Sequence, residues 1–294
     1  MNKILILILT LSISSVANAD ELENTLNKVY SKGSEVAEGY ISNLLSGPGD
    51  TEVSIGLKEG DKPIGSIMIV RPYSIKEDSV IFYQAQFNSY HVLGDTRQSL
   101  NYGVGKRFLS ADKNSFWGVN TFVDLDKETN SRLGFGSEFK ASTFDISGNY
   151  YLDVLGGGNQ VGTNTERVLD GYDFNVSGQV PYLPWMNINY NNYVWKKEKN
   201  TQDSKGEIYT GTLNVTNNIT MEVGYDDNNI IEENAFVKLI YIHGGPERST
   251  MDDGISSVAF QDSDVSEKML TKVKRSNIIT LEVEGTGVVI ANGN

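Results

Sequence analysis

Two stretches decide how this chain folds: Leu100-Asn101-Tyr102-Gly103-Val104-Gly105-Lys106-Arg107-Phe108, and Phe116-Trp117-Gly118-Val119-Asn120-Thr121-Phe122-Val123-Asp124-Leu125-Asp126. In the first, Leu100, Tyr102 and Val104 alternate with Asn101, Gly103 and Gly105. In the second, Trp117, Val119 and Val123 oppose Asn120 and Asp124. A period of two places one set on each face of a β-strand.

The same rhythm extends in both directions. Upstream, Val53, Ile55 and Leu57 alternate with polar residues, and Tyr83, Ala85 and Phe87 alternate with Gln84, Gln86 and Asn88. Downstream, Leu133, Phe135 and Phe139 oppose Arg132 and Glu138, and Phe144, Ile146 and Tyr150 oppose Asp145, Ser147 and Asn149. Met221, Val223 and Tyr225 repeat the pattern against Thr220, Glu222 and Asp226. About twelve strands are expected, starting near Glu52, Ile64, Val80, Thr96, Phe116, Arg132, Thr143, Val168, Met186, Ile208, Ile219 and Asn234. A soluble sandwich alternates in the same way, so alternation alone does not choose between sandwich and barrel.

Connection lengths favour a barrel. Tight links at 110–115, 141–142, 181–184 and 217–218 alternate with longer polar links at 127–131, 153–167, 196–206 and 227–233. Short turns on one rim and long loops on the other belong to outer-membrane barrels inserted with their long loops outside. In hydrocarbon every backbone N–H and C=O must be paired, so a closed sheet is the only strand solution. The charged alternates Arg107, Asp124, Arg132 and Glu138 must then face the lumen, since a cation at the lipid midplane costs about 2–4 kcal/mol. The 15 Tyr suit aromatic girdles at the two interfaces.

The termini supply a compartment. Lys3, the apolar run 4–11 and Ala17-Asn18-Ala19 before Asp20 read as a signal peptide over 1–19. Residues 20–46 space Leu22, Leu26, Val29, Val36, Tyr40 and Leu44 as an amphipathic helix ending at Gly47-Pro48-Gly49. The expected divisions are a leader at 1–19, a periplasmic helical segment at 20–50, the barrel at 51–243, a lumen-threading helix and linker at 244–284, and a short tail at 285–294.

Composition removes other classes. A net charge of −13 argues against nucleic acid, and zero Cys removes thiolate chemistry and Cys-based metal sites. His91 and His243 lie far apart; the first reads as a solvated loop residue and the second as the interfacial end of the last strand, so neither supports catalysis. Asp124-Leu125-Asp126-Lys127-Glu128 has Thr129 where a calcium-binding EF-hand loop needs Gly. Gly156-Gly157-Gly158 lacks the Lys-Ser/Thr of a phosphate loop and reads as a flexible exposed loop. Asp252-Asp253 reads as solvated charge. No cofactor, no metal and no catalytic residue is expected; a barrel hydrolase remains a rival class, tested through His91 and His243.

With these residues in place, a family resemblance follows. The 101–108 stretch, the 118–126 stretch and Arg132-Leu133-Gly134-Phe135-Gly136-Ser137-Glu138 resemble the translocation barrel of inverse autotransporters, the intimin and invasin group. So do Asp170-Gly171-Tyr172-Asp173, leading to Val180-Pro181-Tyr182-Leu183-Pro184, and Lys274-Arg275-Ser276-Asn277-Ile278-Ile279 with Leu281-Glu282. The resemblance covers 51 to about 284. It implies a twelve-stranded antiparallel outer-membrane barrel whose downstream segment re-enters the lumen and exits at the cell surface.

Matching material is present. Asp264 with Glu267 suits a helix start, Val265, Met269 and Val273 give that helix one apolar face, and an extended run from Ser276 follows. The expected lumen residues are Asn101, Arg107, Asn120, Asp124, Arg132 and Glu138, and the expected linker residues are Lys274, Arg275, Ser276 and Asn277. The positive charge of Lys274 and Arg275 is expected to meet Asp124 and Glu138. Expected partners are outer-membrane lipid, the barrel-assembly machinery and periplasmic chaperones. Only residues 285–294 follow the linker motif and little precedes Thr51, so the expectation is an adhesin-type anchor whose passenger is absent or minimal: a stand-alone or degenerate barrel, or one whose passenger lies beyond Asn294. A plugged porin-like barrel is the second reading.

Overall fold

A computed structural model describes residues 47–58, 62–154, 156–199, 202–230, 233–260 and 263–289. The expected leader and the 20–46 helix lie outside these residues. Among the described residues seven strands come first: β1 (Thr51–Lys58), β2 (Ile64–Ile75), β3 (Ser79–Val92), β4 (Asp95–Leu109), β5 (Ser115–Asp126), β6 (Ser131–Ala141) and β7 (Phe144–Asp153). Two short strands follow, β8 (Asn159–Val161) and β9 (Asn164–Val168), then β10 (Gly171–Val180), β11 (Leu183–Trp195), β12 (Ser204–Asn214), β13 (Ile219–Asn228) and β14 (Asn234–His243). β15 (Leu281–Val283) and β16 (Gly287–Val289) end the described chain.

Twelve of these close a barrel in the order β1-β14-β13-β12-β11-β10-β7-β6-β5-β4-β3-β2. Neighbours pair antiparallel, and Thr51↔His243 to Lys58↔Phe236 join the first strand to the last. Closure leaves no free sheet edge.

The two faces carry inverted chemistry, which excludes the sandwich. Arg107, Asp124 and Arg132 are completely buried, whereas Trp117 is 52% and Ile188 58% exposed. Exposed apolar side chains run along outward positions of neighbouring strands, among them Tyr102, Val104, Val119, Val123 and Phe135. Only an apolar surrounding accounts for apolar-out, charged-in alternation around a whole cylinder. Aromatics gather near the short-turn rim, where Phe108 and Trp117 stack at 4.3 Å between centroids. Near the other rim Lys196 lies 5.5 Å from the Tyr150 ring.

Some boundaries differ from the expectation. The eighth barrel strand starts at Gly171, not Val168, because 164–168 is taken by β9. β11 and β12 begin earlier, at Leu183 and Ser204. The expected irregular loop at 153–167 contains the β8–β9 hairpin, a pairing no two-residue rhythm announces. On the long-loop rim, β3 and β4 are joined by Leu93-Gly94 alone, both at positive φ; this tight turn breaks the expected sorting. His91 lies in β3 rather than a loop, with its Nε2 3.3 Å from the Thr96 hydroxyl.

After β14 the chain follows the short-turn rim as a strap. The Asn214 amide donates to Ser249 O (3.1 Å), the Trp185 indole to Gly254 O (2.7 Å) and the Tyr182 N–H to Ala259 O (3.0 Å). Val265 N–H then donates to Lys113 O in the β4–β5 turn (2.9 Å), and Lys268 Nζ to Ser142 O in the β6–β7 turn (3.0 Å). The expected helix is a single 3₁₀ turn, Glu267–Leu270, with Ser266 rather than Asp264 at its N-cap; Asp264 Oδ1 accepts the Ser266 N–H at 2.7 Å. Its apolar face is the expected one, since Val265, Met269 and Val273 pack with Met68, Val70, Val80, Phe82 and Phe116 in one buried cluster.

Candidate functional site: the threaded lumen

An extended segment inside a closed barrel faces a specific difficulty. The wall strands have already spent their N–H and C=O groups on one another, yet the segment's own backbone must still be hydrogen-bonded. Inward side chains of the wall do this here. Arg107 Nη1 donates to Met269 O (2.8 Å) and Thr271 O (2.7 Å). Lys140 Nζ donates to Lys272 O (2.9 Å), and Gln84 Oε1 accepts the Val273 N–H (2.9 Å). Asn149 Nδ2 donates to Lys274 O (2.9 Å), Arg132 Nη2 to Ser276 O (2.7 Å) and Asn101 Nδ2 to Asn277 O (2.8 Å). The wall holds the linker by its backbone along most of its length.

Charge pairing fixes the register. Arg275 makes a bidentate pair with Asp124 (2.6 and 3.0 Å), and Arg132 Nε reaches the same carboxylate at 2.9 Å. Asn101 adds a fourth bond to Asp124 at 2.7 Å. The Arg275 guanidinium also lies 4.2 Å from the Phe122 centroid and that of Arg132 4.3 Å from Tyr151, so both cations sit on π faces. Small residues make the space: a Cβ on Gly134 would come within 3.1 Å of Arg275 Nη2.

The ten residues expected from sequence all border the lumen, but they divide. Asn101, Asp124, Arg132, Arg275, Ser276 and Asn277 meet in one network. Glu138 does not meet the linker cations; it pairs with Arg107 (2.7 Å) and lies 3.6 Å from Lys140. Lys274 turns the other way, to Ser177 Oγ (2.5 Å), Asn189 Oδ1 (3.1 Å) and Asp145 (3.5 Å). Asn120 is buried, and its amide nitrogen makes no hydrogen bond. The Asp126 carboxylate of the supposed calcium loop accepts from Glu128 N–H and Asn130 N–H and pairs with Arg97; no metal-holding cluster exists among the described residues.

Sequence reasoning missed Asp173, Tyr151, Lys140 and Gln84. Tyr151 OH accepts the Ser276 N–H (2.8 Å) and donates to Asp173 Oδ2 (2.5 Å). Their inward parity is readable from sequence, their contact with the linker is not.

Beyond Asn277 the linker's Ile278 and Ile279 pack with Tyr90, Val92 and Val168 in one buried cluster. It leaves on the long-loop side as β15, which pairs with β9 through Leu281↔Val168 to Val283↔Glu166. Glu166 is held by Arg97 (2.6 and 2.7 Å), and Glu282 accepts backbone N–H groups of Glu198 and Lys199. The chain then turns at 284–286, and β16 comes back alongside β15. Val288 is buried with Tyr151, Leu169, Tyr193, Trp195 and Ile208. The first residues of the expected short tail, 287–289, thus form the second strand of a hairpin.

The opposite wall is not filled. A cavity of ≈ 150 Å³ lies beside the linker, bordered by Ser54, Asn88, Asn191 and Thr210 and by the Lys272–Glu52 pair at 2.9 Å. Next to Glu52, Asp50 lies just before β1 at the short-turn rim. Burial pushes its carboxyl up to about 6, Glu52 adds to the shift and Arg248 opposes it.

Fold and lumen together define an outer-membrane β-barrel threaded by its own chain. The chain belongs to the inverse autotransporter beta-domain family, which it matches over residues 9–277. A 107-residue stretch is 32% identical to the Escherichia coli (strain K12) uncharacterized protein YchO, covering 35% of this chain and 23% of that protein's length. A membrane protein solved in work on in-meso crystallization shares the fold, with 20% identity over 80% of this chain and 100% of its own, at TM-score 0.64. The KdgM porin aligns at 10% identity over 65% of this chain and 98% of its own, with TM-score 0.44.

Proposed function

We propose that this barrel anchors its own C-terminal segment in the outer membrane and exports it to the cell surface, the part an adhesin's membrane anchor plays. The observation carrying this reading is the linker's continuous path from the short-turn rim at Val265 to the long-loop rim at Leu281, with wall side chains bonded to the backbone of seven of its residues. The short-turn rim is then periplasmic and the long loops external. The reading brings with it a cleaved leader at 1–19, insertion by the barrel-assembly machinery after escort by periplasmic chaperones, and a structural rather than catalytic role. An epitope tag fused after Asn294 should be detected on intact cells; a tag seen only after permeabilisation contradicts the proposal.

The cavity beside the linker favours one alternative, a plugged porin-like barrel in which the same segment merely occludes a channel. That reading requires a tail that stays internal, together with planar-bilayer conductance that rises when residues 244–294 are deleted.

A further inference from the structure

The strap carries an apolar cluster that the threaded lumen does not use. Met251, Ile255, Val258 and Phe260 are exposed, Ile255 by 78% and Phe260 by 52%, and Tyr182 of the β10–β11 turn is exposed beside them. Four large apolar side chains within ten residues, none covered by the barrel, mark a contact surface.

We infer that residues 254–260 form an interfacial foot that lays Ile255, Val258 and Phe260 into the phospholipid leaflet at the short-turn rim. Continuity with the lipid-facing wall carries the argument. On β10, Tyr172, Phe174, Val176 and Gly178 occupy the outward positions between the inward Asp173, Asn175 and Ser177, and none is charged. On β11, Ile188 is exposed to the same side. This surface runs down to Tyr182, whose N–H donates to Ala259 O (3.0 Å) and whose C=O accepts the Ser256 N–H (2.8 Å). The strap is thereby stitched through both backbone groups of a residue at the membrane boundary.

Local chemistry agrees. Gly254-Ile255-Ser256-Ser257-Val258-Ala259-Phe260 contains no charge. The Val258 N–H is taken by Ser256 Oγ at 3.2 Å, so the foot meets part of its backbone demand internally, as a segment leaving water must. The preceding acid Asp253 turns its carboxylate to the Thr250 N–H (2.7 Å). Trp185, at an inward position of β11, donates its indole N–H to Gly254 O and so fixes the start of the foot at the rim. Partial insertion of such an apolar face is how monotopic segments hold a leaflet. The foot would tie the strap, and through Val265 the lumen plug, to the bilayer.

The inference rests on the barrel being membrane-embedded, and the test separates the two. The chain has no Cys, so Ile255→Cys, Phe260→Cys, Val119→Cys (outward, mid-barrel) and Asp112→Cys (exposed β4–β5 turn) each give one labelling site. The full chain is refolded into phosphatidylcholine–phosphatidylglycerol vesicles and labelled with an environment-sensitive fluorophore. At 255 and 260 the expected result is a blue shift, loss of emission with lipids spin-labelled high on the acyl chain, and shielding from aqueous iodide; the 112 site should show the reverse. Iodide quenching at 255 and 260 equal to that at 112 overturns the foot, as does shielding from both quenchers, which means protein contact. Failure of position 119 to respond to deep spin labels overturns embedding itself.

Discussion

Asp124 and Arg275, 151 residues apart, meet in a bidentate pair inside the barrel, and Arg132 of the neighbouring strand shares the same carboxylate. One carboxylate thus holds a wall cation and a linker cation, all three side chains almost wholly buried. Removing one partner strands a desolvated charge, which typically costs about 3–5 kcal/mol. Asp124→Ala should therefore lower barrel stability by about that amount and leave the linker open to added protease. Arg275→Ala should cost less than Asp124→Ala, because Arg132 still neutralises the carboxylate. The two changes combined should be markedly non-additive in a double-mutant cycle.

Gly134 tests whether space or charge sets the linker's register. A Cβ there approaches Arg275 Nη2 at 3.1 Å, whereas one on Gly178 meets its nearest neighbour, Thr143 O, at 3.9 Å. Gly134→Leu should displace Arg275 and raise single-channel conductance in planar bilayers; Gly178→Ala should leave conductance unchanged. Equal conductance in both variants would mean that the linker is not seated against β6.

The exit latch makes a separate prediction. Arg97 pairs with Glu166 and with Asp126, tying β9 to the wall. Glu166→Ala should destabilise the β9–β15 pairing locally, seen as faster amide exchange at 164–168 and 281–283, with the barrel strands unaffected. Global loss of protection would contradict a local latch.

Asp50 predicts a pH dependence. Its carboxyl ionises near its ordinary 3.8 when unfolded and only near about 6 when folded. Between those values the folded chain holds the extra proton, so stability falls as pH rises and levels off above about 6. Asp50→Asn should flatten this slope in urea unfolding of the vesicle-embedded protein and raise stability above that pH. An unchanged slope would assign the titration elsewhere.

How much of this is legible in the sequence follows from geometry. Strand positions and their inward face are readable because side-chain direction has period two, and Arg107, Asp124 and Arg132 fall on the lumen side by parity alone. What parity does not carry is distance along the barrel axis. That is why sequence assigns Glu138 to linker cations when Arg107 stands closer, and why it overlooks Asp173 and Tyr151. The β8–β9 and β15–β16 hairpins escape because strands of three to five residues are too short to show a period. The strap at 244–260 lacks periodicity; its course depends on single hydrogen bonds to turns far away in sequence.

The central claim is that the polypeptide crosses the lumen from one rim to the other. Thr286→Cys places a thiol in the turn beyond β15, and Asp112→Cys places one in the β4–β5 turn on the opposite rim; both residues are exposed. Treating intact cells with a membrane-impermeant maleimide should label the thiol at position 286 and spare the one at position 112 until the outer membrane is permeabilised. Labelling of both sites, of neither, or of position 112 alone before permeabilisation would contradict the threaded path.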